Sequence, residues 1–317
     1  MRPSQADQTT NVSHLPGSER GARWRMPYAA RPKYIQLETV TKCNAKCPFC
    51  PQNEIVRDPG RMPAETWQKI VDDTRGWGIT YRPFLTNEPF VDNRMPEIVR
   101  YIKQNDPTAR VEFNTNGELM TEKLSSDLLE AGVDIMRFSI DGFSRETYEP
   151  SRIGINYDKV MERTQIFLDL WDKGGYRDKV FTELRMIEVP ENKHEIEAYR
   201  EFWGPRCSEV LITSMYQWPW TGQKREDVVL KPCLKILDEM FFYTNGNATI
   251  CCWDVHERAV VGNVNEQSVA EIWESYAARC MRATLDDGRR DLLNLCSRCN
   301  AYQDYDFSKF ATGGGTE

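Results

Sequence analysis

Three cysteines in eight residues, Cys43, Cys47 and Cys50, stand in a C-x3-C-x2-C spacing. Three thiols this close on a loop can converge on one side of a metal centre. Zinc is the plain alternative, but a structural zinc takes four ligands, usually from two C-x2-C knuckles or with added His. No His lies within 25 residues of the triplet. Three thiolates without a fourth ligand suit a [4Fe–4S] cluster with one iron left open, and an open position separates a catalytic metal from a structural one. A second set consists of Cys233, Cys251 and the pair Cys296 and Cys299. Alone, it suits a structural zinc ribbon as well as a four-Cys iron–sulfur site. Cys251 and Cys252 are adjacent, so the ligand there is ambiguous; Cys251 is taken, leaving Cys207, Cys252 and Cys280 unassigned among ten cysteines. Cys207 reads as a small buried hydrophobe.

The elements that must position these loops follow from periodicity. Strand-like segments over 34–40, 79–85, 109–114, 135–140, 179–187 and 209–213 alternate with helix-like ones over 63–75, 95–104, 121–131, 156–171 and 193–202. Regular βα alternation predicts parallel strands under an outer layer of helices. Six units fall short of the eight of a closed barrel, so the expected α/β fold is a partial (β/α)6 TIM-like barrel, with a doubly wound sheet as the rival. From about residue 214 the alternation stops. Phe241–Gly246 and Ala248–Cys252 read as two strands joined through Asn245-Gly246, a hairpin signal. The expected organisation is a flexible leader over 1–32, the barrel over 33–213, a small C-terminal auxiliary-cluster domain over 214–311 and a loose tail over 312–317.

The chain has 317 residues, 41 Lys+Arg against 48 Asp+Glu, and 40% hydrophobic residues. Collagen, coiled coil and wholesale disorder are excluded. No apolar run is long enough to span a bilayer. A net charge of −7 makes a poor general binder of nucleic acid. Ten cysteines without a secretory signal point to metal or redox chemistry in a reducing cytoplasm.

The cysteine triplet, with Phe49 before its last Cys and at the end of the first strand of a βα series, resembles the radical S-adenosylmethionine (radical SAM) superfamily. The resemblance implies a [4Fe–4S] cluster whose open iron is chelated by the methionyl amino and carboxylate groups of S-adenosylmethionine. One electron from the reduced cluster then cleaves the sulfonium, giving a 5′-deoxyadenosyl radical that abstracts hydrogen from a substrate. Further matches follow in register. Phe49 occupies the position that flanks the adenine. Asn87-Glu88-Pro89 resembles a Gly-Glu-Pro segment whose glutamate and backbone hold the methionyl ammonium, with Asn in place of Gly. Asn116, in Asn114-Thr115-Asn116-Gly117, belongs to a segment after the third strand. Ser139 and Asp141, in Phe138-Ser139-Ile140-Asp141-Gly142, match the fourth-strand segment that approaches the cofactor. Arg152 matches an arginine that meets the methionyl carboxylate. The C-terminal cysteines resemble the SPASM/twitch appendage in its shorter form, which implies a single auxiliary [4Fe–4S] cluster on Cys233, Cys251, Cys296 and Cys299.

The aromatic and amide residues of Met215–Gln223, Trp218 and Trp220 above all, suit a carbohydrate-like ligand. Acidic residues near strand ends, among them Glu112, Glu183 and Asp254, are candidates to meet a cationic sugar. Residues 1–32 are expected to be too short and polar for the leader-peptide-binding domain of peptide-modifying relatives. A chain of this kind is similar to radical SAM enzymes that tailor sugars and aminoglycosides, with a flavodoxin- or ferredoxin-like one-electron reductant. Epimerisation is expected, with Cys252 or Cys280 as hydrogen-atom donor. The alternatives are dehydrogenation or decarboxylation of a sugar or aminocyclitol, or maturation of a ribosomal peptide.

Overall fold

The computed structural model describes residues 28–215, 233, 235–297 and 299. Most of the expected leader, most of the boundary after residue 214, Trp218, Trp220 and the tail lie outside these residues. Six strands alternate with helices: β1 (Tyr34–Leu37), α1 (Ala64–Asp73), β2 (Thr80–Arg82), α2 (Met95–Asn105), β3 (Arg110–Thr115), α3 (Glu122–Ala131), β4 (Ile135–Ser139), α4 (Arg145–Ser151), α5 (Tyr157–Lys173), β5 (Phe181–Glu188), α6 (Ile196–Trp203) and β6 (Glu209–Ser214). There follow α7 (Lys235–Asp238), β7 (Glu239–Phe242), β8 (Asn247–Thr249), β9 (Gly262–Asn263), α8 (Val269–Trp273) and α9 (Tyr276–Asp286).

Strands β1 to β6 lie in chain order, each parallel to the next. A doubly wound sheet would reverse direction at a switch point, whereas this progression is that of an open barrel. The C-terminal part extends the same sheet: β7 pairs in parallel with β1, Gln36 opposite Phe241. The hairpin expected at Asn245-Gly246 is present, with Phe242 opposite Ala248, although its strands are shorter than the pattern suggested. Gly246 turns it at φ +85°, and a Cβ there would lie 2.4 Å from the Asn265 amide nitrogen. Helix α4 was not expected; at seven residues including Pro150 it is too short to show a helical period.

The strand alternation sorts residues onto two unlike faces. Val111, Phe113, Met136 and Phe138 are fully buried. They point towards the helices: the Phe138 ring lies 5.2 Å from that of Phe167 on α5, and Phe113 lies 5.1 Å from Phe90. Their neighbours Glu112, Asn114, Arg137 and Ser139 face the concave side. There a belt of alternating charge crosses the sheet. Lys235 pairs with Glu239 at 2.6 Å, and Glu239 accepts from Gln36 at 3.3 Å and pairs with Arg82 at 3.5 Å. Arg82 and Arg137 each donate to Glu112 at 3.0 Å. Arg137 also lies 3.7 Å from Glu183, which pairs with Arg185 at 2.6 Å. Two of the acids expected to meet a cationic substrate, Glu112 and Glu183, are therefore each engaged by two arginines. Burial works against the charge of Glu112, but Arg82 and Arg137 outweigh it and hold the carboxyl below its ordinary value of 4.5.

Removing one member of such a belt strands its partners. R137M should cost about 3 kcal/mol in urea unfolding, and E112Q in the same chain should restore part of it. Because the folded-state value of Glu112 is depressed, its stabilisation is present above pH 4.5 and disappears as pH falls through the folded value. The difference between wild type and R137M should accordingly be full near neutrality and narrow on acidification.

Candidate functional site

The cysteine loop leaves β1 at the C-terminal ends of the strands and is sewn to the turn after β3 and to the segment after α4. Asn44 accepts from the Asn116 side chain at 2.8 Å and donates to Glu118 at 2.8 Å, while Lys46 N–H donates to the Ile153 carbonyl. Gln52 and Gly60 hold the far side of the loop through Thr41. The three thiols border one cleft, together with Phe49, Glu88, Asn116, Ser139 and Arg152. Asn87 lines it as well. The residues expected from β1, β2, β3, β4 and the α4 end thus meet in one place.

Glu88 is buried and ties β2 to β3. Its carboxylate accepts from the Thr115 hydroxyl at 2.7 Å, Asn116 N–H at 2.9 Å and Phe90 N–H at 3.3 Å. Burial nevertheless pushes its carboxyl up to about 7. Arg152 is aimed by Asp141, which receives its Nε at 2.7 Å and Nη2 at 2.6 Å. Asp141 is itself fixed by Ile187 N–H at 2.8 Å, so it stands behind the arginine and does not border the cleft. From there Arg152 reaches the Cys47 sulfur at 3.8 Å and covers the Phe49 ring at 5.3 Å.

Among the described residues, three buried polar atoms on the cleft wall have no partner: Thr86 Oγ1, Asn87 Nδ2 and Asn114 Oδ1. Such atoms are costly unless a ligand satisfies them. A donor, an acceptor and a hydroxyl beside an aromatic ring and a guanidinium fit the polar, adenine-bearing S-adenosylmethionine. Among the described residues, no three Cys, His or acidic side chains converge on a point as a single ion would require. A cluster asks for wider spacing, because each thiolate caps a different iron. Three thiolates with no fourth protein ligand beside them fit a cluster with one open iron better than a four-ligand zinc. Sequence reasoning missed Thr86, Asn114 and Asn44; each stands within two residues of a recognised segment.

The second thiol set also assembles. Cys251 lies within electrostatic reach of Cys252, Cys233 and Cys296, and Cys233 within reach of Cys299. Cys299 N–H donates to the Cys296 carbonyl at 3.1 Å. Burial pushes the Cys252 thiol up to about 12; it sits beside Lys235 and Glu239, the end of the belt, along with Cys233 and Cys299. Cys280 is on α9 beside the exposed Tyr276. Neither proposed hydrogen donor borders the cleft. Cys207 is buried and donates to two backbone carbonyls at 3.2 Å, as expected of a packing residue. Asp254, expected at the substrate, is 1% exposed and caps a turn, accepting from Arg258 and Ala259 N–H at 2.7 Å.

The aim of Arg152 depends on the turn into α4. A Cβ on Gly142 would lie 2.7 Å from the Tyr148 backbone nitrogen and 2.9 Å from its Cα, so G142A must push α4 outward. With iron content unchanged, G142A should lower the rate of S-adenosylmethionine cleavage by about 100-fold, as measured by 5′-deoxyadenosine release after dithionite reduction.

Comparison with known proteins agrees with this geometry. Residues 37–203 match the radical SAM superfamily, and residues 233–300 match SPASM, an iron–sulfur cluster-binding domain. A tungsten-containing aldehyde ferredoxin oxidoreductase cofactor-modifying protein of Pyrococcus furiosus is 31% identical over 87% of this chain and 90% of its own. The S-adenosyl-L-methionine-dependent 2-deoxy-scyllo-inosamine dehydrogenase of Niallia circulans is 22% identical over 84% of this chain and 92% of its own. The crystal structure of BtrN in complex with AdoMet and 2-DOIA superposes with a TM-score of 0.59 at 19% identity, covering 87% of this chain and 94% of that one. The chain belongs to the radical SAM superfamily, with the [4Fe–4S] cluster and S-adenosylmethionine of that superfamily and an auxiliary iron–sulfur cluster in a SPASM domain.

Proposed function

We propose that the protein dehydrogenates an aminocyclitol-like small molecule, converting a carbinol to a carbonyl. When bound, the cluster on Cys43, Cys47 and Cys50 with S-adenosylmethionine supplies a 5′-deoxyadenosyl radical that removes hydrogen from the substrate, and the auxiliary cluster on Cys233, Cys251, Cys296 and Cys299 supplies an electron acceptor. Arg152, held by Asp141, is placed to take the methionyl carboxylate. Glu88 accepts three hydrogen bonds within the protein, and a carboxylate has about four acceptor sites, which leaves room for the ammonium. Phe49 would flank the adenine, and Ser139 and Asn116 would border the same cofactor. An external flavodoxin- or ferredoxin-like donor in the cytoplasm supplies the priming electron. Among the described residues no helix is long and apolar enough to cross a membrane.

The observation that carries this reading against epimerisation concerns the thiols. All ten cysteines lie within the described residues, and those bordering the cleft are Cys43, Cys47 and Cys50. Epimerisation needs a further thiol on the opposite face of the radical; dehydrogenation needs an electron acceptor, for which a second assembled cysteine set is suited. The likeness to a dehydrogenase along nearly its whole length supports the same choice.

The test is turnover of 2-deoxy-scyllo-inosamine in D2O by the anaerobically reconstituted protein. The expected product is oxidised by two electrons, forms one-for-one with 5′-deoxyadenosine and carries no solvent deuterium at the reacting carbon. An inverted carbon bearing deuterium would overturn the reading. C280A should turn over within about twofold of wild type, as expected of a surface change away from the site.

A further inference from the structure

Each thiol set has a buried arginine beside it, and the two arginines are partnered differently. Beside Cys47 the guanidinium of Arg152 is matched by Asp141 at 2.6 Å. Beside the C-terminal set lies Arg290, only 3% exposed. Among the described residues it forms no ion pair; Nη1 donates to the Cys299 carbonyl at 3.4 Å, and Nε is buried with no partner. Its neighbour Arg289, on the surface, pairs with Asp291 at 3.3 Å, so that carboxylate is turned to the outer arginine. Burying an uncompensated guanidinium is strongly unfavourable unless an opposite charge meets it. A [4Fe–4S] cluster with four thiolates is a net anion, and it gains one more negative charge on reduction.

We infer that Arg290 is the counter-charge of the auxiliary cluster and raises its reduction potential so that it accepts the electron shed by the substrate. A cation at this position stabilises the reduced cluster more than the oxidised one, and net charge is among the determinants of such potentials. The inference rests on the dehydrogenase reading for its purpose. After a hydrogen atom has left the carbinol carbon, the remaining radical becomes a carbonyl by losing one proton and one electron. The proton passes to solvent or a base, the electron enters the oxidised auxiliary cluster, and the two losses complete a two-electron oxidation.

The experiment is an EPR-monitored redox titration of the reconstituted full chain as wild type, R290Q and R290K. In R290Q the auxiliary midpoint should fall by at least the equivalent of a tenfold change in the electron-acceptance constant, about 59 mV for one electron. The midpoint of the cluster that responds to added S-adenosylmethionine should stay put, and R290K should remain near wild type. Loss of the auxiliary cluster from R290Q with retention in R290K would equally show that the charge is required. An unmoved midpoint in R290Q, or a fall in R290K as large as in R290Q, would overturn the assignment. Product formed per 5′-deoxyadenosine, measured on the same samples, tests the underlying reading separately. A lowered midpoint with an unchanged ratio would refute the auxiliary cluster as electron acceptor and leave the role of Arg290 standing.

Discussion

Charge neutralisation in a poorly solvated interior is the constraint on which this molecule depends. The concave face of the sheet carries Lys235, Glu239, Arg82, Glu112, Arg137, Glu183 and Arg185, and it is tolerable because opposite signs alternate from strand to strand. A closed barrel of similar construction fills its interior with branched apolar side chains in layers. An open barrel has space there, and ion pairs keep the space polar without leaving any one charge alone. The convex face could then be given wholly to hydrophobic contact, with Phe113, Met136, Phe138 and Leu184 buried towards the helices. The same belt continues past β1 into β7 through Glu239, so the C-terminal cysteines are fixed to the barrel by both backbone pairing and charge.

The cleft at the strand ends follows from the same division of faces. Residues one step further along β3 and β4, Asn114 and Ser139, point to the concave side as Glu112 and Arg137 do, but they reach the mouth, where a ligand can approach. What fixes this mouth is a set of side-chain hydrogen bonds: Glu88 between β2 and β3, Asn44 between the cysteine loop and the turn after β3, and Asp141 between β4 and β5. Each joins one strand end to another. The loop that must receive a cluster is thus held by groups other than its thiols, and the thiols remain available to iron.

Much of this was legible in the sequence. The cysteine triplet, Glu88, Asn116, Ser139 and Arg152 each follow a strand whose alternation could be read, and parallel strands deliver such residues to one end. The acids of the belt were read as candidates to meet a cationic substrate, and their partners were not read at all. A strand pattern reveals that Glu112 and Glu183 share a face; it does not reveal that arginines from β2 and β4 meet them there. That pairing depends on register, which no single strand encodes. The parallel pairing of β7 with β1 joins residues some 200 positions apart and left no local signal. Asp141 looked like a cofactor contact because it follows a strand within a recognised segment, yet its carboxylate is consumed by Arg152 and Ile187 N–H.

The same reasoning bears on the fate of the substrate radical. A thiol beside a cluster ligand invites the reading of a hydrogen-atom donor, and adjacency in sequence is all that recommended Cys252. In the fold it is turned to the Lys235–Glu239 end of the belt among the other C-terminal thiols, while the cleft holds the three thiols of the loop. A hydrogen atom moves only over contact distance, so a donor must border the radical. An electron is under no such restriction and can cross the protein between the cleft and the second cysteine set. Among the described residues the cleft is bordered by no thiol outside the cysteine loop, and that observation supports the proposed loss of an electron over return of a hydrogen atom.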